Sequence, residues 1–251
     1  MKKEEPLLKM VNISKKFGAV QALKNVDFTV GYSEIVGLLG DNGAGKSTLI
    51  KCLMGVYPID SGEIYFMGKK VQFRSPQEAR AAGIEVVYQG SNLVELLNIW
   101  RNFFLGKEEI KKYGPFALLD ITNMKKKVKE KLRDLGIELK LIDTDASALS
   151  GGEKQSIAIG RAIYFGAKLL VLDEPTTALS VRESEKVLEI IKDIKKRGLS
   201  SIFITHNVYQ VYPIADRFEI LDRGIKIGSF YKKDVTPEEI IDIIRTGRKV
   251  R

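Results

Sequence analysis

Gly40-Asp41-Asn42-Gly43-Ala44-Gly45-Lys46-Ser47-Thr48 is the segment from which the rest of the chain can be read. Its glycines let the backbone wrap closely around an anion, so that successive N–H groups and the start of a helix point at negative charge. Lys46 supplies a compact positive charge for the β and γ phosphates of a nucleotide, and the Ser47 hydroxyl suits Mg²⁺. Asn42, Ala44 and Thr48 complete the loop that touches the nucleotide. The context is the one this pattern requires. Glu34-Ile35-Val36-Gly37-Leu38-Leu39 reads as a buried strand before the loop, and a helix is expected from about Lys46 to Met54 after it.

Moving outward, Leu169-Leu170-Val171-Leu172 and Ser201-Ile202-Phe203-Ile204-Thr205 are further apolar runs, as expected of central parallel strands covered on both faces. Between them, Val181 to Arg197 has helical periodicity and ends at Gly198. Strands alternating with helices indicate an α/β domain. The N-terminal part differs. Leu8–Ile13, Val26–Val30 and Glu63–Phe66 alternate apolar and polar residues, which predicts an antiparallel sheet with one wet face. From about 91 to 165 the pattern is mostly helical with loops, and reads as an insertion into the α/β core. No internal repeat is present.

The chain has 251 residues, 44% hydrophobic and 29% charged, which fits one large domain or two small ones and is enough for a substantial core. No stretch approaches the roughly 18 apolar residues of a membrane span. No secretory leader is expected at the N-terminus. A single cysteine, Cys52, excludes an internal disulfide and fits a reducing compartment, so a cytoplasmic location is expected. Lys and Arg (41) outnumber Asp and Glu (32). The densest basic run, Lys125 to Arg133, lacks aromatics for base stacking, and Met124, Val128, Leu132 and Leu135 recur within it at helical spacing. It therefore reads as a solvated helix face, and no nucleic-acid partner is expected.

Leu169 to Asp173-Glu174 ends a buried strand in two carboxylates, where ligands bind in parallel sheets. Asp173 suits the Mg²⁺ shell, and Glu174 is placed to activate water. Upstream, Leu149-Ser150-Gly151-Gly152-Glu153-Lys154-Gln155 is a second turn that opens a helix. Ser150 would cap that helix, and the exposed N–H groups would form another anion-binding surface.

Together these three segments resemble the ATPases of the ABC transporter family, with Leu149 to Gln155 as its signature sequence. The resemblance spans nearly all of Leu8 to Gly247 and implies a phosphate-loop NTPase (RecA-like) α/β core, about 1–90 and 166–251. This core would carry an N-terminal antiparallel β subdomain and an inserted α-helical signature subdomain at about 91–165. It implies ATP and Mg²⁺ as cofactors and a homodimer in which Ser150, Gly151, Gly152 and Glu153 of one chain face the ATP on the other chain's phosphate loop. Gln89 resembles the glutamine that joins core and insertion and senses the γ-phosphate near the metal. His206 resembles the switch histidine that contacts the γ-phosphate. Phe17 resembles the aromatic that stacks on adenine, with a core aromatic as the alternative.

Within the family the chain is similar to importers of ribose, xylose, fructose and related monosaccharides. The stretches behind this are Gly40 to Lys51, Met54 to Glu63 and Phe73 to Gln89. That implies membrane permease subunits as partners, an extracytoplasmic sugar-binding protein beyond them, and a place on the inner face of the membrane. Many members of the group are tandem fusions, whereas this chain holds one cassette. Gly90-Ser91 stands where acidic or polar residues are usual, and Ser180 replaces an aspartate common in the dimer-contact loop. The alternatives are a soluble ABC ATPase outside transport, an importer ATPase for another solute, or a small-molecule kinase with a phosphate loop.

Overall fold

A computed structural model describes residues 5–90, 93–137 and 141–247. Ser91, where the insertion is expected to begin, lies outside them. In chain order the first elements are β1 (Leu8–Phe17), β2 (Val20–Val30), β3 (Ile35–Leu39), α1 (Lys46–Leu53), β4 (Ser61–Phe66), β5 (Lys69–Val71), α2 (Pro76–Ala82) and β6 (Ile84–Val87). There follow α3 (Ile99–Phe104), β7 (Ile110–Tyr113), β8 (Phe116–Leu119), α4 (Ile121–Asp134) and α5 (Gly151–Tyr164). The last are β9 (Leu169–Asp173), α6 (Val181–Lys196), β10 (Ser200–Ile204), α7 (Val208–Val211), β11 (Arg217–Asp222), β12 (Ile225–Tyr231) and α8 (Pro237–Thr246).

Two compact units form. The first holds Met1–Val86, Ala167–Glu174 and Ile191–Arg251, and the second holds Val87–Gly166 and Pro175–Ile190. In the first, a six-stranded sheet runs β12-β11-β3-β10-β9-β6. β3 lies parallel to both β10 and β11, and β10 parallel to β9. β3 and β10 are buried throughout, which explains why both read as uninterrupted apolar runs. The expected antiparallel sheet also forms, in the order β2-β1-β4-β5. Arg217 joins the sheets. Its buried guanidinium pairs with Glu34 and Glu219, and donates to the Thr29 carbonyl at 2.7 Å. A buried carboxylate such as Glu219, 1% exposed, is tolerated only with such compensation.

The second unit packs α3, α4 and α5 around Phe103, Phe104, Tyr164 and Phe165, whose rings meet edge-on or tilted at centroid distances of 4.9 to 6.2 Å. In α4, Met124, Val128 and Leu132 are buried, and the lysines between them lie on the wetter face, as their spacing predicts. The middle of the chain is not only helical, however. β7 and β8 pair as an antiparallel hairpin, turning at Gly114 with φ +59°. Its apolar residues Ile110, Phe116 and Leu118 are exposed, so no buried alternation marks it as sheet.

Candidate active site

The first unit gathers the phosphate loop and three strand ends. β3 carries the chain into Gly40, whose φ of +142° brings the backbone close beneath β11; a Cβ there would lie 2.2 Å from the Leu221 carbonyl oxygen. Only glycine fits. Gly45, φ +103°, is the residue before α1, and no side chain caps that helix. Its first N–H groups therefore face outward with the positive end of the helix dipole. Asn42, Gly43 and Ser47 are exposed, Thr48 is half-buried and Ala44 is buried. Lys46 is 8% exposed, and its ammonium donates to the loop's own carbonyls, Gly40 at 2.6 Å and Asp41 at 2.9 Å. Burial holds its pKa below the ordinary value, against the charges of Glu174, Asp41 and Asp173. A buried cation resting on its own backbone is ready to exchange those oxygens for an anion's.

β9 delivers Asp173 and Glu174. Burial pushes the Asp173 carboxyl up, and the Glu174 charge adds to that, while Lys46 pulls the other way. Glu174 has φ +48°, unusual for a residue with a side chain, and its N–H donates to the Ile204 carbonyl on β10 at 3.0 Å. Strained backbone of this kind concentrates at functional sites. The Glu174 carboxylate is fixed from two sides. Oε2 accepts from the Thr205 hydroxyl at 2.9 Å; Oε1 accepts from the His206 N–H at 3.1 Å and lies 2.6 Å from His206 Nδ1. Thr205 Oγ1 in turn accepts from the Asn207 N–H at 3.0 Å. The structure thus brings Lys46, Asp173, Glu174 and His206 together. Thr205 belongs with them, a residue that no motif in the sequence singles out. Its signal was its place between a central strand and His206.

Phe17 is 41% exposed, so it is not a core aromatic. Its ring meets Tyr57 edge-on at 4.9 Å, with the Lys15 ammonium 5.5 Å from its centre.

In the second unit Gln89 lies in the exposed turn after β6. The Leu149–Gln155 turn opens α5 with a reciprocal cap: Ser150 Oγ accepts from the Glu153 N–H, and the Glu153 carboxylate accepts from the Ser150 N–H. A second carboxylate, missed in the sequence, also reaches this turn. Glu183 Oε1 accepts from the Gly152 N–H at 3.3 Å, and Oε2 accepts from the N–H and hydroxyl of Ser180 at 3.0 and 2.7 Å. Ser180 and Ser150 side-chain hydrogen bonds, with those backbone donors, hold the Glu183 pKa down at about 2. The detectable signal was Ser180 three residues before Glu183, the spacing of a capping box.

Among the described residues no cluster of three or more His, Cys, Asp or Glu side chains could hold a metal by itself. One hydroxyl and one carboxylate suit a hard cation that takes its remaining ligands from phosphates and water. No helix among the described residues is long and apolar enough to cross a membrane.

Comparison with known proteins fits this geometry. Residues 23–177 match the family profile described as ABC transporter. The chain is 44% identical over 238 residues to the xylose/arabinose import ATP-binding protein of Sulfolobus acidocaldarius, covering 95% of this chain and 93% of that protein. It is 43% identical over 251 residues to the fructose import ATP-binding protein of Rhizobium meliloti, covering 98% and 96%. Against the ribose import ATP-binding protein of Caldanaerobacter subterraneus the identity is 39%, and the match covers 98% of this chain but 49% of that protein. Among solved structures, an ABC transporter ATP-binding cassette in its ADP conformation superposes with a TM-score of 0.81 at 26% identity, covering 96% of each chain. A dimeric post-hydrolysis cassette bound to ADP and phosphate gives 0.74 at 26% identity, covering 91% of this chain and 100% of that one. On the phosphate loop, the carboxylate-ended strand and these likenesses, the chain belongs to the ABC transporter family.

Proposed function

We propose that the chain is the ATP-hydrolysing subunit of a membrane importer for a monosaccharide, acting as a homodimer that closes on ATP. The carrying observation is its 44% and 43% identity, over nearly the whole of both partners, to import ATP-binding proteins for xylose/arabinose and fructose. The second unit would be the signature subdomain, and the permease would hold the chain at the inner face of the membrane.

Each residue then has a role. The N–H groups of Gly43 to Thr48 and the start of α1 receive the phosphates, and Lys46 exchanges the Gly40 and Asp41 carbonyls for β- and γ-phosphate oxygens. Ser47 and Asp173 would hold Mg²⁺, which would neutralise charge on the phosphates, and the family resemblance assigns Gln89 to the same metal. Glu174 takes the proton of the attacking water as its oxygen bonds to the γ-phosphorus and the bond to the β-phosphate oxygen breaks. Thr205 and His206 keep the Glu174 carboxylate oriented, and His206 also faces the γ-phosphate. Phe17 offers its exposed ring to adenine. Ser150, Gly151, Gly152 and Glu153 serve the partner's ATP, so an arriving phosphate meets the Glu183 carboxylate already on the Gly152 N–H. ATP does work because it binds the closed dimer better than the open one, and hydrolysis removes that difference.

The test is reconstitution in vesicles with the permease and binding protein encoded beside it. ATP turnover should rise when a pentose or hexose is added on the binding-protein side. Stimulation by another solute class, with none by sugars, overturns the monosaccharide assignment and leaves the ATPase assignment standing.

A further inference from the structure

Away from the nucleotide site, the first unit contains a cleft of about 990 Å³. The phosphate loop and Glu174 follow the carboxyl ends of β3 and β9. This cleft lies at the opposite end of the same sheet, where Asp216 precedes β11 and its Oδ2 accepts from the Ile35 N–H at the start of β3. The end of α6 and the segment after β12 form its other walls, with Tyr212 and Tyr231 as aromatic surface.

Five lysines line it (Lys192, Lys195, Lys196, Lys232 and Lys233) against one carboxylate, Asp216. Two of the five have local partners: Lys195 pairs with Asp216 at 2.6 Å and Lys196 with Asp193 at 3.3 Å. Among the described residues Lys192 and Lys233 have no ion-pair partner. Lys232 donates to the Pro213 carbonyl at 2.9 Å and lies over the Tyr212 ring at 5.2 Å. Tyr212 is backed by Phe218, whose ring stacks parallel to it at 5.4 Å. Burial lowers the Lys232 pKa, and the neighbouring Lys192 charge lowers it further. Like charges placed around a partly desolvated concavity cost free energy unless an anion answers them.

We propose that this cleft binds a small, multiply charged anion of the phosphate-ester or pyrophosphate class. Its charge excess suits a ligand with two or more negative charges, and its one carboxylate, Asp216, is already paired with Lys195, which suits an anion rather than a metal. It is concave, and Tyr231, 57% exposed, is its one strongly exposed aromatic platform, whereas a bound nucleic-acid strand needs several. The site does not depend on the ATPase assignment.

Pyrophosphate titrated calorimetrically into the full chain tests this, with the phosphate loop first saturated by ADP. The parent should bind one pyrophosphate beyond its ADP. Lys192→Gln/Lys233→Gln, which changes only exposed side chains, should weaken that binding about tenfold or more and leave ADP affinity unchanged. No second binding event up to about 10 mM, or equal affinity in the double variant, overturns the proposal. A parallel arm uses phosphatidylserine vesicles. Vesicle binding that the double variant abolishes and saturating pyrophosphate fails to compete would make the cleft a membrane contact and would also overturn it.

Discussion

Replacing Glu174 by glutamine isolates the chemistry of the site from its architecture. At Thr205, the His206 N–H and the His206 ring, an amide can keep a hydrogen bond where the carboxylate now has one. Its oxygen can accept from the His206 N–H and from a protonated Nδ1, now 3.1 and 2.6 Å from Glu174, and its NH₂ can donate to Thr205 Oγ1, now at 2.9 Å. Among these groups only the Thr205 hydroxyl hydrogen loses its acceptor, so stability should fall by about 1 kcal/mol, the lower end for an unsatisfied buried donor. For a chain of this size that is a melting shift within about 4 °C. The amide cannot take a proton from water, so turnover should fall about 100- to 10,000-fold, or about 3–5 kcal/mol in the barrier.

Neighbouring charges should respond as well. Glu174 is the foremost charge opposing the burial that lowers the Lys46 pKa, so Lys46 should drop further. Glu174 also helps burial raise Asp173, so Asp173 should ionise more readily and Mg²⁺ affinity should hold or improve. The assay is single-turnover phosphate release beside retention of radiolabelled ATP, with calorimetric melting as the control for folding. Turnover within threefold of the parent would remove Glu174 as the base. A melting loss beyond about 8 °C would refute the claim that the amide keeps a hydrogen bond at these positions.

Chains carrying Lys46→Ala or Ser150→Arg, each also Glu174→Gln, should trap little ATP alone but more when mixed, because one composite site in the heterodimer is intact; no gain despite proven heterodimers would refute the shared site. Arg217→Ala should cost about 3 kcal/mol, the lower end for a broken buried pair, because Lys226 stays 3.3 Å from Glu219 Oε2; chemical denaturation checks it. The Glu183 carboxyl should titrate in carbon NMR with a midpoint of about 2, against the ordinary 4.5. Because that pKa is depressed, its stabilising contribution is present above the ordinary value and is lost as pH falls toward 2. A midpoint near 4.5 would deny the cap. Asp173→Asn should raise the melting temperature of the nucleotide-free chain at pH 8. A raised carboxyl stabilises only below its unfolded value and loses that as pH rises through the folded one, so the advantage should vanish near pH 4.

The parts readable from sequence are those whose cause is local. The phosphate loop needs glycine at particular backbone angles, and β3, β9 and β10 are nearly or wholly buried, so their composition alone marks them. The β7–β8 hairpin is not legible in the sequence because its apolar residues face water and helical periodicity surrounds it. Glu183 was hidden for another reason. Its capping spacing to Ser180 is local, but its bond to Gly152 joins residues far apart in sequence, which no periodicity reveals. The lysine cleft is similar: Lys192 and Lys233 line one cleft only because α6 and the segment after β12 end on the same side of the sheet.

The two helix-opening turns also differ in a way that bears on the order of events proposed for them. The start of α1 has no capping side chain, and its lysine rests on loop carbonyls that any phosphate can replace. Asp173 is raised chiefly by burial, next to an ionised neighbour, so this turn and its strand end are electrostatically incomplete until cations and phosphates arrive. The start of α5 is already satisfied by Ser150 and by Glu183, whose low pKa measures how well those donors suit an oxyanion. A phosphate reaching the second turn must compete with a carboxylate held by four hydrogen-bond donors, whereas one reaching the first turn meets no such rival. Nucleotide should therefore load on the phosphate loop of each open chain first. In the proposed homodimer, the signature turn should engage only when closure brings the partner's ATP close enough to displace or share the Glu183 position.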